Sequence, residues 1–209
     1  GFMLGITAHN LRIPNHPFQF AFAPMFGFHS KQFTGTGLLA YSIFPKQFLQ
    51  KITLSLTGNS FHHQQSKLNI SSPLFLRHLK LAPSAEFIFK KKEAISTVQN
   101  TLNLRYIYVA NESFSYTKDP VDSLFKPRKE AFTVNHVGEL NFNHNNTRTF
   151  NPFSYDVHLE GNLEYVKIGL SGNARIDYNM KNKGFYVRAY AGKFFDLGTS
   201  KNPFSLRQR

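Results

Sequence analysis

The stretch that decides the fold is His16–Phe28, HPFQFAFAPMFGF. Phe stands at 18, 20, 22, 26 and 28, and the positions between are Gln19, Ala21, Ala23, Met25 and Gly27. A period of two belongs to an extended strand, whose successive side chains point to opposite faces. One face of this strand therefore carries Phe18, Phe20, Phe22, Phe26 and Phe28, and the other carries mostly small residues.

The same alternation recurs along the chain. In Lys51–Gly58 (KITLSLTG), Ile52, Leu54 and Leu56 oppose Lys51, Thr53 and Ser55. Leu79–Phe89 has apolar residues at its odd positions, and Asn100–Val109 sets Leu102, Leu104, Tyr106 and Tyr108 against Asn103 and Arg105. Pro152–Gly161 sets Phe153, Tyr155, Val157 and Leu159 against Asp156, His158 and Glu160. In Tyr165–Tyr178, Ile168, Leu170 and Ile176 share a face opposite Lys167, Ser171, Arg175 and Asp177. Weaker alternation covers Phe2–Ala8, Thr36–Phe44, Thr133–Phe142 and Phe185–Phe194. The pattern predicts roughly ten strands of about ten residues, the length of a transmembrane barrel strand. Soluble strands are commonly nearer five or six.

Turns are predicted at Lys31–Gly37, Phe44–Phe48, Leu159–Tyr165 and Asn179–Gly184, from their Gly, Pro and Asn content. Longer polar connections are predicted at His62–Ser72, Ser113–Lys129 and Asn143–Asn151, and a turn or two of helix at Lys90–Asn100. Short connections alternating with long ones suit an up-and-down barrel.

The chain of 209 residues has no Cys and no Trp, but 23 Phe and 9 Tyr. Without Cys there is no disulfide framework, thiolate metal site or Cys nucleophile. A formal charge of +13 favours anionic partners such as lipid, lipopolysaccharide or nucleic acid. No apolar run reaches the length of a membrane-spanning helix. The sequence begins at Gly1, and no signal peptide is expected within it.

Alternation does not say which face meets water. A soluble sandwich turns its bulky face inward, whereas a membrane barrel turns it outward and lines its lumen with small and polar groups. Strand length, small residues on the polar faces and aromatics near strand ends (Phe61, Phe75, Tyr106, Tyr108, Tyr155, Tyr178, Tyr186, Tyr190) favour the barrel.

Catalytic signatures are missing. There is no HExxH, GxxxxGK[ST] or GxGxxG, and GLSGN (Gly169–Asn173) lacks the second Gly of a nucleophile elbow. The pair His62-His63 would point to opposite faces of an extended chain and reads as loop rather than metal site. Asp156, His158, Glu160 and Asp177 read as an ion-pair network with Lys167 and Arg175. The basic clusters FKKKEA (Phe89–Ala94) and FKPRKEA (Phe125–Ala131) fit headgroup contacts better than a nucleic-acid groove.

Leu4–Pro45 (LGITAHNLRIPNHPFQFAFAPMFGFHSKQFTGTGLLAYSIFP), SLTGNSF (Ser55–Phe61) and GFYVRAYAGKFF (Gly184–Phe195) together resemble the region after the catalytic part in large M1-family metallopeptidase-like proteins of Bacteroidetes-type bacteria. The resemblance implies an outer-membrane β-barrel whose zinc site lies upstream in a separate domain. This chain has no HExxH, stops at SLRQR soon after AGKFF, and lacks a C-terminal aromatic. The expectation is a single all-β domain over residues 1–209, an antiparallel up-and-down transmembrane-type β-barrel or part of one, read as a fragment of a larger barrel. Its role is structural or anchoring in the outer membrane of a Gram-negative bacterium, without catalysis or cofactor of its own.

The expected lipid-facing set is Phe18, Phe20, Phe22, Phe26, Phe28, Ile52, Leu54, Leu56, Ile168, Leu170 and Ile176. The expected lumen-facing set is Lys51, Thr53, Ser55, Asp156, His158, Glu160, Lys167, Ser171, Arg175 and Asp177. Membrane lipid or lipopolysaccharide, and other envelope proteins, are the expected partners; nucleic acid is disfavoured. The alternatives are a soluble β-barrel or sandwich that binds an apolar ligand, and a basic nucleic-acid-binding β protein.

Overall fold

A computed structural model describes residues 2–13, 16–65, 74–118, 125–178 and 183–198. The period-two segments form strands: β1 (Met3–Gly5), β2 (Ala8–His9), β3 (Phe18–Gly27), β4 (Gln32–Ile43), β5 (Leu49–Gln65), β6 (Phe75–Phe89) and β7 (Val98–Asn111). They continue as β8 (Phe114–Lys118), β9 (Phe125–Lys129), β10 (Thr133–Asn146), β11 (Phe153–Gly161), β12 (Tyr165–Asp177) and β13 (Gly184–Asp196). Among the described residues there is no helix. Several strands exceed the soluble norm; β5 runs for 17 residues and β6 for 15.

Eleven strands form one sheet in the order β1-β3-β4-β5-β6-β7-β10-β11-β12-β13, with β2 also on β3; β8 and β9 form a separate hairpin. The up-and-down antiparallel expectation holds. The described strands are not closed into a barrel, which the expected fragment did not require: the order has two ends, β1/β2 and β13, and no pairing among the described residues joins them. A barrel requires every strand to have two neighbours.

Local chemistry explains the differences from the sequence reading. The predicted turn at Lys31–Gly37 is displaced: residues 28–31 form the turn, with Lys31 at φ 52°, and Gln32 onward already belongs to β4. The glycines that suggested a turn serve the strand. Gly35 lies opposite Pro24 at φ 150°, where a Cβ would come 2.5 Å from the Ala23 carbonyl oxygen. Lys90–Thr97 is a non-helical connection, and Val98 already starts β7. His62 and His63, expected in a loop, lie within β5. The β8–β9 hairpin occupies part of the expected polar connection Ser113–Lys129, because Phe114 and Tyr116 alternate with Ser115 and Thr117. At Leu159–Tyr165 the turn holds, and Asn162 Oδ1 accepts the backbone N–H groups of Glu164 and Tyr165 at 2.8 and 2.9 Å. Residues 179–182 of the last predicted turn, residues 66–72 of the His62–Ser72 connection and the SLRQR end lie outside the described residues.

The chain divides into two units. The first contains Gly1–Tyr41, Leu54–Pro83 and Ile107–His136; the second contains Ser42–Thr53, Ser84–Tyr106 and Val137–Arg209. In the first, Thr34, Ala40, Leu76, Ala82 and Ala110 are buried; in the second, Val137 and Tyr165 are. Small side chains dominate that set, so among the described residues neither unit encloses a large dry centre of Phe, Leu and Ile side chains.

Gly35→Ala is expected to lower the apparent melting temperature, losing about 1–3 kcal/mol from strain at the Ala23 carbonyl. Gly172→Ala, where a Cβ would meet nothing within 4 Å, should change it little. Thermal denaturation followed by far-UV circular dichroism compares the two.

Candidate functional site

In the first unit the register sets the Phe-rich side of β3 against a matching side of β4. Phe18 faces Tyr41, Phe20 faces Leu39, Phe22 faces Gly37 and Phe26 faces Phe33. The rings form a ladder, with centroids 6.1 Å apart for Phe18–Phe20 and 5.9 Å for Phe20–Phe22. Phe26 packs on Phe33 at 5.0 Å and on Phe28 at 5.4 Å, and Phe2 joins Phe28 at 5.5 Å. Gly35, Gly37 and Gly58 leave an apolar groove of about 590 Å³ between Phe22, Leu56 and Leu81.

In the second unit, Asp156 lies opposite Ser171, His158 opposite Gly169 and Glu160 opposite Lys167. Cross-strand partners share a face, so these polar residues form rows across β11 and β12. Asn143 donates to Asp156 Oδ1 at 2.6 Å, and Ser171 Oγ donates to Asp156 Oδ2 at 3.4 Å. Glu160 accepts from Tyr165 Oη at 2.6 Å and lies 3.6 Å from both Lys167 Nζ and His158 Nε2. Arg175 Nε is 2.6 Å from Asp177 Oδ1, while Asp177 Oδ2 accepts the Asn151 N–H at 2.8 Å. Arg105 pairs with Glu139. The opposite side of the same strands presents Val157 against Leu170 and Leu159 against Ile168.

The apolar side of the strands is open rather than buried. Phe18, Phe22, Phe28, Leu54, Leu56, Ile168, Leu170 and Ile176, all from the expected lipid-facing set, are between 40% and 52% exposed. Phe20, Phe26 and Ile52 are half-buried. Every member of the expected lumen-facing set, Lys51, Thr53, Ser55, Asp156, His158, Glu160, Lys167, Ser171, Arg175 and Asp177, is also half-buried. On β11 and β12 hydrogen bonds and ion pairs link Asp156, Glu160, Lys167, Ser171, Arg175 and Asp177 to neighbours, whereas Thr53 Oγ1 is buried with no hydrogen-bond partner among the described residues.

Much of the expected network is present: Lys167 meets Glu160 and Arg175 pairs with Asp177, while Asp156 is held by an amide and a hydroxyl. Tyr186 and Tyr190 do not join the apolar side of their neighbour. The register sets Tyr186 against Arg175 and Tyr190 against Ser171, because β13 starts at Gly184 and its even positions fall on the polar face. Sequence reading missed this exchange, since β13 alternates aromatic with small residues on both sides. His62 contacts Gln32 Oε1 at 2.8 Å.

One polar knot lies outside the rows of β11 and β12. Glu112 Oε2 accepts the Arg77 backbone N–H at 2.8 Å and pairs with Lys129 Nζ at 2.8 Å, tying the hairpin to β6. Burial pushes the Glu112 carboxyl up, but the Lys129 hydrogen bond, the Arg77 N–H and both positive charges outweigh it and hold the group below the ordinary glutamate range.

Comparison with protein-family models, with curated proteins and with solved structures finds no match to this chain.

A depressed carboxyl pKa stabilises the fold above the unfolded glutamate's titration range, and that contribution disappears as pH falls through the folded value. Glu112→Gln is therefore expected to cost about 1–2 kcal/mol at neutral pH, with the difference from the unaltered chain closing below the carboxylate range. Denaturant unfolding at pH 7 and pH 3 measures both.

Proposed function

We propose that this chain is a membrane-embedded β-sheet domain, part of an outer-membrane barrel with an anchoring or structural role. The observation that carries the reading is the open apolar face: large apolar side chains stand exposed along long antiparallel strands, while Asp156, Glu160, Lys167 and Ser171 on the other side of β11 and β12 bond to neighbours. Fully covering an exposed Leu, Ile or Phe side chain contributes about 1.5–3 kcal/mol. These side chains, already about half covered, would gain roughly half of that each, and hydrocarbon is the phase that covers a whole sheet face. Backbone groups paired between strands satisfy the other requirement of a bilayer within the sheet, away from its edge strands.

In this reading Phe18, Phe22, Leu54, Leu56, Ile168, Leu170 and Ile176 meet lipid. Asp156, Glu160, Lys167 and Arg175 line the watered side. An envelope location in a Gram-negative bacterium, beside a kinship with the barrel region of M1-family metallopeptidase-like proteins, belongs to the same proposal. No catalytic role is assigned to this chain.

The test is extraction. The folded chain is expected to stay with membranes through high-salt and carbonate washes, to need detergent for release, and to migrate differently on gels with and without boiling. A stable monomer in detergent-free buffer would overturn the reading.

A further inference from the structure

The second unit carries a concentration of cations at one end of its strands. The connections from β4 to β5, from β6 to β7 and from β10 to β11 all emerge there. The Lys90 N–H donates to the Phe48 carbonyl at 2.9 Å, and the Thr147 N–H donates to the Thr97 carbonyl at 3.0 Å. Thr97 Oγ1 also donates to Asn146 Oδ1 at 2.8 Å. These bonds hold Lys46, Lys90, Lys91, Lys92 and Arg148 on neighbouring connections, with Glu93 as the one carboxylate in the same segments.

Two pockets open at this end. One, of about 330 Å³, is lined by Lys90, Lys91 and Lys92 together with Ser96, Asn100 and His144. The other, of about 560 Å³, is lined by Arg148, Arg175 and Arg188, with Asn145, Ser154 and Asn173 among its neutral donors. The register sets Asn145 opposite Ser154, Ser154 opposite Asn173, and Asn173 opposite Arg188. An unbroken row of hydrogen-bonding groups thus crosses four strands and ends on a guanidinium. Among the described residues no carboxylate lines either pocket. Asp177, which adjoins the second, is engaged by Arg175 and the Asn151 N–H. Arg148 is pre-positioned: its Nε donates to the Asn151 carbonyl at 2.7 Å and its guanidinium lies 5.3 Å from the Phe153 ring centroid.

We infer that this end of the second unit is a binding site for phosphate-bearing ligands, with the amide and hydroxyl row receiving a saccharide or glycerol moiety attached to the phosphate. Guanidinium forks match phosphate oxygens in geometry, and lysines supply charge to a site short of acid. Both pockets are larger than inorganic phosphate and leave room beside the anion for an organic part. That chemistry could come from a phosphorylated lipid headgroup or from a free sugar phosphate. The inference concerns charged residues at strand ends and holds whichever phase covers the apolar face.

The experiment is calorimetric titration of the full chain, folded in neutral detergent micelles, with two probes. Glucose 1-phosphate tests the free ligand, with glucose as control. Micelle-dispersed phosphatidylglycerol tests the headgroup, with phosphatidylcholine as control. Binding of at least one phosphate probe over its control is expected, weakening with added salt. The variants K91Q/K92Q and R148Q/R188Q should each weaken it about tenfold, whereas Lys31→Gln, in the β3–β4 turn, should not. A response to glucose 1-phosphate identifies a free ligand, and a response to the lipid alone identifies a headgroup. Failure of the folded chain to bind either probe would overturn the inference, as would equal binding by the control probes or by both double variants. If a double variant does not fold, the single variants Lys91→Gln and Arg188→Gln carry the same comparison.

Discussion

Everything in this molecule depends on strict side-chain alternation over a hydrogen-bonded antiparallel ladder. Along β11–β13 each strand residue has a cross-strand partner, so polarity chosen at one position is met by polarity beside it. Asp156 beside Ser171, and Glu160 beside Lys167, form rows that satisfy one another. The same ladder lines up Val157 with Leu170 and Leu159 with Ile168 on the other side. These side chains gain from a covering phase, and the fold itself supplies little cover.

The edges impose a second condition. Strand β13 has β12 as its only partner among the described residues, and nearly all of its positions are exposed. In water such an edge is tolerable, and Lys193 along it would discourage unwanted pairing. In hydrocarbon its free N–H and C=O groups would each cost several kcal/mol. The membrane reading therefore requires a further strand beside β13. The phosphate-binding end, by contrast, is built from strand termini and connections that remain in water under either phase.

Much of the fold was legible because alternation is a local property. His16–Phe28, Lys51–Gly58 and Tyr165–Tyr178 each became a strand, and the Asn162 turn followed from its own side chain. What was not legible was set by partners. Gly35 looked like a turn residue, and only its position opposite Pro24 shows that the strand needs a glycine there. Tyr186 and Tyr190 looked like part of an aromatic belt until the register put them beside Arg175 and Ser171. The tie from Glu112 to Lys129 depends on which groups come within reach, which spacing does not encode. The arginine-lined pocket escaped notice for the same reason, since Arg148, Arg175 and Arg188 are scattered in sequence.

The absence of Trp permits a direct measurement of which face meets lipid. A single Trp placed at Ile168 or at His158 reports from opposite sides of neighbouring strands. In bilayers containing lipids brominated along their acyl chains, the account gives strong quenching for Ile168→Trp and weak quenching for His158→Trp, with aqueous acrylamide giving the reverse order. Equal quenching at the two positions, or stronger bromine quenching at 158, would contradict it.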